Sequence, residues 1–440
     1  MKDTLLSPVR EALAGSGGPE ALATFWVPGR IEVLGKHTDY AGGRSLVCAV
    51  DQGFVIAAAP RADSRVRVVN VAAGSEAMLA LDARLAQPPD AWMRYPATVL
   101  RRVARNFPDA KRGADIAFLS DLPLASGMSS SSAFMVAVFL AIAEVNRIGD
   151  DARYREAIAR PEDLAGYLAT VENGQSFGAL TGDRGVGTFG GSEDHTAMLC
   201  CRAGELSQYS FCPVRHERQV PLPAGLEFVV AVSGVKAEKT GAANYAYNRA
   251  SLAVRAILDA WRAASGRPDT SLADAVDKAG IAQVREVIEK SAIDGFDTPI
   301  LLDRFDQFVE ESVEIIPAAA SALQAGDLAR FGVLVDRSQD LAEQRLRNQV
   351  PETEHLARSA RELGAIAASA FGAGFGGSVW ALVRSAQTPD FISAWDAAYR
   401  QAFPRRMASF LATRPGPAAC GLTSGSRLLA PDSWPPATGS

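Results

Sequence analysis

The chain has 440 residues, 48% of them hydrophobic and 22% charged, with a formal net charge of -5 and a pI near 5.6; that length predicts two or three domains around a large core. The acidic balance, without any Lys/Arg run, argues against a nucleic-acid binder or an anionic-membrane binder. Five cysteines, an odd number with no CxxC pair, argue against a disulfide framework or a zinc ribbon and make the reducing cytoplasm the simplest setting.

The N-terminal MKDTLLSPVREALAGSG is too polar for a signal peptide. Residues 28–43, PGRIEVLGKHTDYAGG, set an Arg, a Lys, a His, an Asp and a Tyr between glycines. Arg30, His37 and Asp39 are groups suited to a small polyhydroxylated molecule. IEVL and SLVCAV within and after this run predict strands, as do VRVVNVA (66–72) and GADIAFLSDLP (113–123). SSSSAFMVAVFLAIAEVN (129–146) predicts an apolar helix opened by serines. Its apolar run from Phe134 to Val145 is interrupted by Glu144 and is too short to span a bilayer. PEDLAGYLATVENGQSF begins a second helix at Pro161, and HTAMLCCR after Asp194 reads as a strand.

PVRHERQVPLPAGLEF (213–228) carries three prolines and mixed charges and marks the domain boundary. It divides the chain into domains over 1–218 and 219–425, with a flexible tail over 426–440. EFVVAVSGV then predicts a strand, 243–264 and 305–349 helices, HLARSARELGAIAASA (355–370) another helix, and SVWALV a strand. No period of 20–50 residues is present, which excludes a solenoid. The mixture is α+β rather than a repeating βαβ array.

PLASGMSSSSA (123–133) brings a glycine and four serines to the start of the apolar helix. Gly127 has no Cβ where the backbone must approach a ligand. Unpaired N–H groups and the positive dipole end of the helix would meet an anion there. Ser129 alone would read as an N-cap; four serines exceed what a cap needs. No GKS or GKT follows, so this is not a Walker A loop. Two GxGxxG matches, Gly185–Gly187–Gly190 and Gly372–Gly374–Gly377, lack the strand-then-helix context of a dinucleotide site and are rejected. Asp194 in GGSEDH follows two glycines, and Glu172 lies in LATVENGQSF. Phosphoryl transfer needs a divalent metal and a residue that orients or deprotonates the attacking hydroxyl, and two carboxylates can supply both. Either would otherwise be an ordinary solvated acid, and Glu193 is chemically as good a candidate as Asp194.

PGRIEVLGKHTDYAGG, PLASGMSSSSA and FGAGFGG together resemble the three motifs of the GHMP small-molecule kinases, and the first resembles that of galactokinases. The resemblance covers roughly residues 25 to 385. It implies an N-terminal domain like ribosomal protein S5 domain 2 and a ferredoxin-like C-terminal domain, with ATP and sugar in the cleft between them. It places Gly127, Met128, Ser129 and Ser130 on the ATP phosphates, and Ser131 and Glu172 on Mg²⁺. Asp194 falls on the acid that faces the anomeric hydroxyl and Arg30 on its companion. Lys36, His37, Asp39 and Gly191 fall on the sugar side. Tyr245 matches a sugar-contacting Tyr if one residue is inserted. Trp92, with Tyr95, resembles a segment near adenine, though two aromatics in a core read the same way. The implied activity is transfer of phosphate from ATP to the C1 hydroxyl of galactose or a similar sugar by a cytoplasmic enzyme with small-molecule partners. A monomer is favoured.

This sequence departs from the galactokinase pattern at Lys36, where the family has Glu, and at Glu32, where it has Asn. Four residues of extended strand span about 13 Å, so pairing of Glu32 with Lys36 needs the chain to fold back. Lys36 is therefore expected to reach the ligand or another acid. A cation there would suit a uronic acid, or donate to a neutral hydroxyl. The alternatives to galactose are thus a uronic acid or other sugar, or a non-catalytic sensor of sugar and ATP. The unshortened phosphate loop and the presence of Arg30 and Asp194 favour an enzyme.

Overall fold

The computed structural model describes residues 2–14, 23–123, 126–235, 241–422 and 429. The tail expected over 426–440 lies outside them, residue 429 apart. In the first half, α1 (Lys2–Glu11) precedes β1 (Ala23–Leu34), β2 (Arg44–Pro60), β3 (Arg65–Asn70) and β4 (Ser75–Ala80). Then come α2 (Arg94–Asn106), β5 (Ala114–Ser120), α3 (Ser130–Val145), α4 (Ala152–Ala157), α5 (Pro161–Asn173), α6 (Glu193–Cys200), β6 (Glu205–Ser210) and β7 (Arg215–Pro221). The second half runs β8 (Leu226–Val232), α7 (Gly241–Ser265), α8 (Leu272–Ala279), α9 (Ile281–Lys290) and α10 (Thr298–Val309). A π-helical turn, Glu310–Ile315, leads into α11 (Ile316–Gln324); α12 (Leu328–Leu341), α13 (Pro351–Glu362), β9 (Ala367–Phe371), β10 (Ser378–Arg384), α14 (Thr388–Ala402), β11 (Ser409–Thr413) and β12 (Cys420–Gly421) follow.

The strands form two sheets. The larger has the order β12-β1-β2-β5-β3-β4, with β6 on the first part of β2 and β7 beyond it. β3 and β5 are parallel, and the other pairs are antiparallel. The smaller sheet, β11-β8-β10-β9, is wholly antiparallel. α3 is apolar on every side and lies buried against β1 and β2, as a helix without a polar face must. Period-two alternation lets the smaller sheet serve two cores. Phe228, Val230, Trp380 and Leu382 join the core that also holds Val27, Ile31 and Leu140. Val229, Ala231, Val379 and Ala381 pack instead under α13 and α14 with Trp395 and Tyr399.

Three local expectations are corrected. HTAMLCCR is not a strand: Glu193–Cys200 is helix α6. Ser192, Glu193 and Asp194 open it, and its buried residues, Glu193 and then His195 through Leu199 without a gap, follow no strict alternation. The helix expected over 355–370 stops at Glu362, where Leu363–Gly364 turn the chain, and Ala367–Phe371 becomes strand β9, shielded on both sides. The stretch 305–349 is broken at Ala325–Gly326–Asp327, with Gly326 at positive φ and Asp327 capping α12. The glycines of FGAGFGG consequently join two antiparallel strands.

Candidate active site

Register shifts flank Arg30 and Glu32 in β1, between Pro28 and Arg30 and between Glu32 and Leu34. Such irregularities re-aim side chains. Gly29 lets the strand lie against the serine loop, since a Cβ there would meet the Met128 carbonyl and Leu122. Arg30 N–H donates to the Met128 oxygen at 3.3 Å. The Arg30 guanidinium is only 4% exposed, and it holds Asp194, the second residue of α6, from Nε at 2.7 Å and from Nη2 at 2.6 Å. Nη1 donates to the Gly127 carbonyl at 2.6 Å, and the Phe371 ring lies 5.8 Å from the guanidinium carbon. Burial alone would lower the Arg30 pKa; the carboxyl groups of Asp194, Glu193 and Glu32 outweigh it and hold it above its ordinary value. Arg30 is therefore a fixed cation. The Asp194 side chain is 22% exposed, the more accessible member of the pair.

The four serines divide by helical spacing. Ser129, in the left-handed conformation, and Ser132, three residues on, turn inward. Ser129 Oγ donates its one proton to Asp194 and lies 3.0 Å from Ser132 Oγ, which donates to Glu172 at 2.7 Å. Ser130 and Ser131 are half-buried at the start of α3. Glu172 thus takes Ser132, not Ser131, as its hydroxyl partner, and its carboxylate lies 3.5 Å from His195 Nε2. Met128, expected on the phosphates, is fully buried, and its N–H and C=O are taken by Ser126 Oγ and the Arg30 N–H. The β9–β10 turn closes over this loop: Ser378 Oγ donates to the Ser126 carbonyl, and Gly372 sits against the Gly127 carbonyl.

On the other side of Asp194 lie His37, Asp39 and Gly191. Asp39 accepts from Tyr40 N at 2.8 Å and Glu193 N at 3.1 Å. Gly191 leaves it room, as a Cβ there would collide with the Asp39 carboxyl. Burial pushes the Asp39 pKa up to about 6. His37, at positive φ, places Nε2 at 3.1 Å from the Ala373 carbonyl and Nδ1 at 2.8 Å from Tyr40 Oη. A carbonyl only accepts, so Nε2 carries the proton and Nδ1 accepts from Tyr40. Burial, then Arg304, pushes the His37 pKa down to about 4, so the ring is neutral.

Two expected sugar ligands are not brought to this face. Lys36 is 1% exposed, and its Nζ donates to Ser338 Oγ at 3.0 Å and Ser369 Oγ at 2.8 Å, between α12 and β9. Among the described residues it forms no ion pair with an acid, although Glu32 feels its charge. Tyr245 is 67% exposed. Tyr247, two residues on, has its ring 5.2 Å from that of His37 and its hydroxyl against Gly190. Residues two apart on a helix point to opposite sides, and that signal would have made the two tyrosines exclusive alternatives. Trp92 packs on Phe118, which packs on Phe134 in the first turn of α3. Sequence reasoning also missed Ser132, and it saw Glu193 only as a rival to Asp194. Glu193 in fact points inward, towards Ser45 and Glu32.

A charged arginine on an open carboxylate, beside a glycine–serine loop that opens a helix, defines a small-molecule kinase. The comparisons agree. The galactokinase galactose-binding signature matches residues 15–60, the GHMP kinase N-terminal domain residues 94–181, and the GHMP kinase C-terminal domain residues 319–401. A galactokinase of Roseiflexus sp. is 30% identical over 388 residues, spanning 86% of this chain and 88% of that protein. A galactokinase of Chloroflexus aggregans is 29% identical over 377 residues, spanning 84% and 86%. Lactococcus lactis galactokinase, solved with galactose, shares the fold with a TM-score of 0.75 at 21% identity, covering 94% of this chain and 98% of that one. Methanococcus jannaschii mevalonate kinase shares it more distantly, with a TM-score of 0.56 at 12% identity over 90% and 99%. The chain belongs to the galactokinase family of GHMP kinases. It is a galactokinase-like sugar kinase, a transferase that uses ATP. Among the described residues no helix is long and apolar enough to cross a membrane.

Proposed function

We propose that this kinase transfers the γ-phosphoryl group of ATP to the anomeric C1 hydroxyl of galactose or another neutral, galactose-like sugar. The observation that carries this reading is the junction of Arg30, Asp194 and Ser129 at the mouth of the α3 loop. Asp194 accepts the proton of the C1 hydroxyl or holds that hydroxyl in line with the phosphoryl group. Arg30 faces the charge that develops on the transferring oxygens. Gly127, Ser129, Ser130 and Ser131, with the N–H groups at the start of α3, cradle the phosphates. Trp92, beside Phe118, lies on the adenine side. Asp39, with the ring of His37, Gly191 and Tyr247, receives the sugar hydroxyls.

Among the described residues no group of three or more His, Cys, Asp and Glu is arranged to hold a metal by itself. Glu172 and the Ser132 hydroxyl 2.7 Å from it, with Ser131 next along the helix start, offer oxygen ligands of the kind Mg²⁺ takes, an ion that commonly completes its shell with water and substrate phosphates. When bound, Mg²⁺ supplies charge neutralisation on the triphosphate. The enclosure of the Lys36 ammonium supports a neutral sugar over a uronic acid, since it offers the cleft no counter-charge. An ADP-release assay with Mg²⁺-ATP, galactose and galacturonate tests both points. Turnover with galactose and none with galacturonate is expected. Preference for the acid overturns the neutral-sugar reading, and tight binding of sugar and ATP without ADP release overturns the enzyme in favour of a sensor.

A further inference from the structure

Two carboxyl groups that the mechanism does not use lie directly behind its charged pair. Arg30 and Glu32 are two residues apart on β1 and share a face. Arg30 meets Asp194, and Glu32 meets Glu193, the neighbouring residue of α6. Glu32 and Glu193 are 5% and 4% exposed, and their carboxyl groups lie against each other in the interior. Two ionised carboxylates enclosed together repel, and a single proton held between them removes one of the two charges. Glu193 also accepts from Ser45 Oγ, stands 4.0 Å from Arg30 Nε, and donates its backbone N–H to Asp39. One residue thus touches both the sugar-side acid and the phosphoryl-side arginine.

We propose that Glu193 and Glu32 are positioning residues for phosphoryl transfer, a carboxyl pair joined by one proton that keeps the Arg30 guanidinium on Asp194. With that proton in place the pair carries one negative charge. Without it, two charges lie in contact, and Glu193 competes with Asp194 for Arg30. Burial pushes Glu32 up to about 7 against Arg30, Lys36 and Glu193, which pull it down, and burial followed by repulsion from Glu32 and Asp39 pushes Glu193 well above the usual carboxylate range. The charged and titratable groups around the pair are Arg30, Lys36, Asp39 and Asp194. Glu311 stands behind Lys36 through Ser338, and from β2 come Ser45, which is neutral, and Cys48, whose thiol burial pushes well up.

This inference rests on the sugar-kinase reading above, and the test separates the two. The wild-type enzyme must first release ADP in response to sugar; if no sugar elicits it, the kinase reading fails and not the pair. With turnover established, Glu193→Ala is expected to lower kcat by about 10²-fold, the scale of an ångström-sized misplacement, with KM for ATP unchanged. Glu193→Gln reproduces the neutral partner's hydrogen bonds and is expected to recover most of that loss. The wild-type kcat should fall on the alkaline side as the pair loses its proton, and Glu193→Gln and Glu32→Gln should each remove that limb. A merely structural role would lower thermal stability and leave the pH profile of the folded fraction in place. An alkaline limb identical in wild type and both Gln variants, or a Glu193→Ala enzyme with wild-type kcat, overturns the proposal.

Discussion

Arg30 and Lys36 are six residues apart, both buried and both cationic by residue type, yet the fold uses them in opposite ways. Arg30 faces a carboxylate that is partly exposed and is backed by the carbonyl of a phosphate loop. Lys36 is enclosed between α12 and β9 and satisfied by two serine hydroxyls. Proximity to a site does not make a charge part of its chemistry; what decides is whether its partner can exchange protein for substrate. Arg30 has such a partner, and Lys36 ties the sugar-binding loop to the second half of the chain.

The most severe way to break the comparison is to neutralise the open partner. Asp194→Asn should lower kcat by about 10³-fold, within the range for a lost general base, while ATP still binds in a fluorescence titration. Substantial turnover would remove Asp194 from the chemistry. Next is the residue that follows Lys36. His37 has a folded-state pKa of about 4 against an ordinary 6.5. The folded protein therefore takes up this proton less readily than the unfolded chain. The contribution of His37 to stability is complete above pH 6.5 and is lost as pH falls towards 4. Urea unfolding between pH 6.5 and 4 should be flatter for His37→Gln than for wild type by on the order of 3 kcal/mol; parallel curves would count against a neutral buried ring.

Lys36→Met should cost about 2 kcal/mol of stability, the scale of charge-assisted hydrogen bonds lost in the interior. It should leave the sugar KM of the folded enzyme near that of wild type. A steep rise in KM would put the ammonium on the substrate and abolish the contrast with Arg30. The smallest effect sharpens the sugar side. Tyr247→Phe should raise the sugar KM by about tenfold, the loss of one hydrogen bond, and Tyr245→Phe should not change it.

The motifs carried the fold class and most of the candidate site because they sit where the backbone itself is constrained: Gly29 and Gly127 at close approaches, the serines at a helix start. What could not be read was direction. Ser131 and Ser132 are adjacent, as are Glu193 and Asp194, and which of each pair turns inward depends on the phase of a helix whose first residue the sequence leaves open. The same uncertainty exchanged Tyr245 for Tyr247. Lys36 was misjudged for a different reason: its partners, Ser338 and Ser369, lie more than three hundred positions away and carry no charge to betray them. HTAMLCCR reads as a strand and folds as α6 because a short apolar run bounded by turn residues has no period long enough to separate the two states.

The smaller sheet lends alternate side chains of β8 and β10 to the core built around α3. A cut after Pro221 would strip that core of Phe228, Val230, Trp380 and Leu382 and leave β1 without its β12 edge. Neither fragment would keep its apolar interior dry, so heating should melt the whole polypeptide in one cooperative calorimetric transition, and substrates must enter a cleft whose walls share a foundation rather than swing on a hinge.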